Sequence, residues 1–125
     1  MSVSAAFAHF HASPASRQSW SALSRDRKTV VVTMWEDLII NGVYDVFAHV
    51  DLPRWRDTLG NRERIANLKF VRDNCNGLFK VVRLVAQDPT RYPRSVLYAT
   101  PDQRTWILTS LDEQTGQFRA EATGP

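Results

Sequence analysis

Cys75 is the only cysteine in the chain, which excludes an internal disulfide and any zinc site built from several cysteines, and agrees with a reducing compartment. The five glycines are scattered, each where a turn is expected, so the glycine-rich phosphate loop of nucleotide-binding enzymes is missing. No apolar run approaches the roughly 20 residues needed to cross a bilayer. The opening MSVSAAFAHFHASPAS has neither the basic start nor the continuous apolar core of a secretory signal. The expectation is a cytoplasmic protein with no membrane segment. Internal repeats and low-complexity tracts are also lacking.

Catalytic signatures are equally scarce. His9 and His11 have a spacing usable for a metal on one face of a strand, but no third ligand lies near them in sequence. His49 and Asp51 resemble half of a general-base pair without a serine or cysteine in a recognisable nucleophile setting. The adjacent acids Glu36 and Asp37, and Asp112 and Glu113, point apart on a strand or turn, which argues against a two-carboxylate centre. No catalytic residue, metal or cofactor is therefore assigned.

What the chain does have is enough residues for one core. At 125 residues, 43% apolar and 23% charged, it is the size of one domain that buries roughly two-thirds of its unfolded surface. Residues 1–16 are expected to form a flexible segment with a weak helix over Ser4–Phe10, and residues 17–125 a single α+β domain. SWSALS and TVVVTMW, separated by the polar turn RDRK, read as a hairpin. Val30, Val32 and Met34 share one face of its second strand and Val31 and Trp35 the other, so that strand is expected to be central. LIINGVYDVF reads as a second hairpin turning at Asn41 and Gly42, or as a strand with a kink there. A helix is expected from an Asn61 cap, with Glu63 in its first turn and Ile65, Leu68, Val71 and Cys75 as its core stripe. Strands follow at LFKVVRLVA, SVLYA, TWILTSL and QFRAEA, the last two joined through a loop ending at Gly116. The fold expected is a strongly curved mixed or antiparallel sheet or small β-barrel with one firm flanking helix and a weak N-terminal one.

Charge is regional within this frame. From Arg54 to Arg94 ten Lys or Arg face four acids, a balance of +6, whereas residues 1–53 sum to -1 and residues 95–125 to -2. Local potential steers encounters with anions more than a net charge of +3 does. Aromatic residues are interleaved with the arginines, the usual combination for stacking on bases while contacting phosphates. Arg54, Arg56, Arg62, Arg64, Lys69, Arg91 and Arg94 are the candidates for phosphate contacts, and Trp20, Trp55 and Tyr92 for base stacking or a base pocket. Lys80 and Arg83 are weaker candidates because they lie on a covered strand. The competing reading is a solvated basic face around a core that uses Trp20 and Trp35, with Tyr44 and Tyr98 half-buried.

The segments TVVVTMWED, GNRERIANLKFVRDNCNGLFKVVRLVAQD and WILTSLDEQTGQFRAE, within residues 17–122, together resemble a group of small bacterial and phage-associated proteins. More loosely, they resemble the PUA-like superfamily that includes the ASCH and EVE domains. The resemblance implies a compact β-barrel with flanking helices, an aromatic pocket and basic surroundings that bind RNA or modified DNA bases. The expected partner is nucleic acid, DNA before RNA, with the protein a reader of unusual or modified bases. The alternative is a protein-interaction module, such as a phage-borne inhibitor of a host defence nuclease; an enzyme ranks third.

Overall fold

The computed structural model describes residues 1–45, 57–91 and 94–123. Along the chain lie α1 (Val3–Ala8), β1 (Ser21–Leu23), β2 (Val30–Trp35), a 3-10 turn (Glu36–Leu38), β3 (Ile39–Ile40), β4 (Val43–Asp45), α2 (Leu59–Asn74), β5 (Leu78–Ala86), β6 (Val96–Pro101), β7 (Thr105–Leu111) and β8 (Phe118–Thr123). The fold is α+β, with one mixed sheet in the order β1-β2-β5-β7-β8-β4-β3 and β6 added to β5. Among the described residues no helix is long and apolar enough to cross a membrane.

The Val-rich sequence of β2 makes it central, as its two apolar faces require. It pairs antiparallel with β1 and parallel with β5. Val30, Val32 and Met34 enter the larger core with Leu68, Val71, Phe79, Val81, Trp106 and Phe118. Val31, on the opposite face, joins Val82, Leu84 and Ala99 beneath Ala6, Phe7 and Ala12 of the N-terminal segment. Residues 1–16 are thus tied into the fold: Phe7 is fully buried, and the Met1 amino group and carbonyl exchange hydrogen bonds with the Ala99 backbone at 3.0 and 2.8 Å.

β5 is the spine of the sheet. One edge carries β2; the other carries β7 at Leu78 and Phe79 and then β6 from Val82 onward. The sheet and α2 share one core, and β1 and β3 at the two ends of the strand order do not pair. The expected β-barrel is therefore corrected to an open mixed sheet. β1 and β3 have only three and two residues, too little rim to close, and α2 packs against β1, β2, β5 and β7.

Local chemistry sets the turns. Asn41 (φ +52°) and Gly42 (φ +74°) form the two-residue connection between Ile40 and Val43, where positive φ at both positions matches the twist of the paired strands. Helix α2 begins earlier than expected: its cap is Thr58, whose side-chain oxygen accepts from the Asn61 N–H at 3.3 Å. Asn61 is instead buried in the first turn and donates to the Thr115 carbonyl at 2.9 Å. Glu63 is consequently in the second turn, where it accepts from the Ser19 hydroxyl at 2.8 Å.

Candidate nucleic-acid interface

The N-terminal half of α2 positions several predicted site residues, and it uses two of them internally. Gly60 lies so close to Trp20 that an added Cβ would stand 2.6 Å from its ring. The Arg64 guanidinium sits 4.7 Å from the Trp20 ring centroid and 5.0 Å from that of Phe118, and donates to Asn61 Oδ1 at 3.2 Å. Burial lowers its pKa to about 10, against the smaller opposing effect of Tyr44, so it stays charged at neutral pH. Arg64 is therefore an internal cation between aromatic rings, in place of the expected surface phosphate contact. Trp20, half-buried, has one ring face occupied by Arg64. Tyr44, expected to be half-buried, is almost fully buried beside Phe118.

Other candidates carry acidic partners. Lys69 pairs with Glu113 at 3.2 Å, and Arg72 reaches the same carboxylate at 3.4 Å. Arg94 grips Asp37 through two contacts of 2.7 and 2.9 Å, donates to the Pro89 carbonyl and lies 5.1 Å from the Trp35 ring centroid. Its side chain is only 5% exposed, too enclosed to approach a phosphate in this arrangement. Arg83 meets Glu36 at 2.8 Å and Asp102 at 3.6 Å, and Lys80 donates to Thr105 at 2.8 Å. Glu36 and Asp37 thus point to different arginines, as their adjacency suggested.

Arg17, Arg62 and Arg91 are exposed and make no ion pair among the described residues. The same is true of Arg25, Arg27 and Lys28 in the β1–β2 turn, which composition alone marks only as a polar connection. The available signal was the RDRK composition itself; the missing information was its neighbour in space. Arg25 N–H donates to the His11 carbonyl at 2.9 Å, and Ala12 bridges Ser24. Among the described residues no third metal ligand joins His9 and His11. Arg54, Trp55, Arg56 and Tyr92 lie outside the described residues. No protein-family model, curated protein or solved structure matches the chain.

Proposed function

We propose that this protein is a small nucleic-acid-binding domain, with DNA preferred, and that its open mixed sheet with α2 serves as a PUA-like reader of unusual or modified bases. The observation that carries the reading is the division among its cations. Lys69, Arg72, Arg83, Arg94, Arg104 and Arg119 hold acids, whereas Arg17, Arg25, Arg27, Lys28, Arg62 and Arg91 stand exposed without ion pairs among the described residues. Exposed, un-neutralised cations exchange their counterions for phosphates at little desolvation cost. Arg54 and Arg56, with Trp55 and Tyr92 as stacking residues, remain part of the proposal.

Fluorescence anisotropy with labelled single-stranded DNA, duplex DNA and RNA at two salt concentrations tests it. Binding is expected at low salt and to weaken steeply as salt rises, with the slope flattened in an Arg17→Ala, Arg62→Ala double variant. Absence of binding to all three, including strands with modified bases, would transfer support to the protein-interaction reading. One feature favours that second reading: β6 is bonded to β5 and presents Val96, Leu97 and Tyr98 to solvent, the kind of exposed apolar strand that a partner can cover.

A further inference from the structure

Beside the β1–β2 turn lies a cleft of about 370 Å³ lined by Phe10, His11, Ser24, Arg25, Asp26 and Thr29. We propose that this cleft binds a phosphate monoester, the terminal phosphate of a nucleic-acid strand or of a mononucleotide. His11 and Arg25 donate to the phosphate oxygens, and Phe10 forms the apolar wall for the attached nucleoside. The ligand class rests on the nucleic-acid reading above, while the residues that form the cleft are separate from those around α2.

Three features carry the assignment. The first is charge: the turn holds Arg25, Arg27 and Lys28 against Asp26, three cations less one carboxylate, leaving +2 before His11 is counted. A phosphate monoester carries roughly -1.5 to -2 near neutral pH, so the turn matches it in magnitude. Asp26 also has a structural task, since its Oδ1 accepts from the Ser24 hydroxyl at 2.6 Å and from the Lys28 N–H at 3.0 Å. Ser24 Oγ in turn accepts from the Thr29 N–H at 3.1 Å. This closed set fixes the turn while none of its three cations forms an ion pair among the described residues.

The second feature is preorganisation. After α1, the Ala12 N–H bonds the Phe7 carbonyl at 3.1 Å and the His11 N–H bonds the Ala8 carbonyl at 2.9 Å. That is the Schellman ending, whose left-handed position is usually glycine. Here it is His11 at φ +59°, a side chain retained where the backbone alone favours none. The Arg25 N–H to His11 carbonyl bond and the Ala12–Ser24 bridge then hold the two donor residues side by side. The third feature is the cleft's size and mixed lining, at the lower end of small-ligand sites, where a half-buried aromatic ring lies next to polar groups.

The His11 backbone supplies a clean test, because His11→Gly removes the imidazole while suiting the left-handed conformation. Anisotropy is read on internally labelled single strands carrying a 5′-phosphate, a 3′-phosphate or neither, and 5′-AMP binding is read by calorimetry. Wild type is expected to bind one phosphorylated strand about tenfold tighter than the unphosphorylated strand. His11→Gly and Arg25→Ala should each abolish that preference, with the melting temperature of His11→Gly unchanged or raised. Equal binding of all three strands would overturn the cleft assignment and leave the nucleic-acid reading intact. A preference that survives in His11→Gly would overturn it as well. Binding of 5′-AMP that His11→Gly abolishes, with no strand bound by wild type, would sustain the cleft and overturn the nucleic-acid reading.

Discussion

Arg64 and Gly116 show how single residues fix the α2 end of the molecule. The Arg64 guanidinium lies between Trp20 and Phe118 and is tied to Asn61, which also donates to Thr115. Arg64→Ala removes that packing and is expected to cost about 3 kcal/mol, the scale of truncating a large buried side chain. Arg64→Met should recover much of this, since an apolar side chain of similar length can replace a buried charge at little cost. Chemical denaturation measures both, and unchanged salt slopes of DNA binding in Arg64→Met would confirm that this cation meets no phosphate. Gly116, at φ +83°, faces the Asn61 side chain so closely that an added methyl would collide with it. Gly116→Ala is therefore expected to destabilise by about 2–4 kcal/mol through left-handed strain and overpacking together. Cys75 is different: it is only half-buried, its Sγ donates weakly to the Lys28 carbonyl at 3.7 Å, and burial raises its thiol pKa. Cys75→Ala should cost about 1 kcal/mol, and lost binding in a folded variant would contradict this packing role.

Among the elements, those governed by local rules were legible in the sequence. The β-branched run of β2 specified a strand covered on both faces, Asn41–Gly42 marked a turn that the structure resolves as a tight hairpin, and LFKVVRLVA matches β5 residue for residue. The parallel pairing of β2 with β5 was not legible, because it joins segments separated by two short strands, residues 46–56 and α2, and no periodicity encodes that register. The candidate site was less legible for the same reason. Charge marked Arg64 and Arg94 as surface cations, but their burial depends on aromatic rings and an acid distant in sequence. The His11–Arg25 neighbourhood depends on how α1 ends and how Ala12 meets Ser24. Helix α2 offers an element-scale prediction, since Glu113 occupies both Lys69 and Arg72 on its exposed face. Exposed ion pairs contribute about 1 kcal/mol or less, so Glu113→Gln should hardly move the melting temperature. By freeing Lys69, while Arg72 keeps its pairing with Asp73 at 3.0 Å, it should also tighten DNA binding and steepen its salt dependence. Unchanged affinity in that variant would place the phosphates away from this face of α2.

Across the whole molecule, β5 contributes Phe79 and Val81 to one core and Val82 and Leu84 to the other. Neither core can lose its packing without loosening this shared strand, so a single unfolding transition is expected by near- and far-ultraviolet circular dichroism. Asp102 reinforces the place where β5 exchanges β7 for β6. Its N–H donates to the Val81 carbonyl at 2.8 Å, and its carboxylate accepts from the Arg104 backbone at 2.8 Å, the Arg104 side chain at 3.0 Å and Trp106 Nε1 at 3.4 Å. Burial alone would raise the Asp102 pKa, but the Arg104 hydrogen bonds and the charges of Arg104 and Arg83 outweigh it, and the net shift is downward. A carboxyl that releases its proton more readily when folded stabilises the fold fully above its unfolded value of about 3.9 and loses that contribution as pH falls through the lower, folded pKa. The melting temperature should therefore drop as the solution is acidified below about pH 4. Asp26, Asp73, Asp88 and Glu113 are shifted in the same direction by their hydrogen bonds, but they are exposed and their effects are screened. Asp102→Asn should lower stability at neutral pH and make the acid decline shallower, because the variant has no charge at this junction to lose. Melting curves from pH 7 to pH 2 that run parallel in wild type and Asp102→Asn would show that the junction does not govern the acid limb, leaving the exposed carboxylates to account for it.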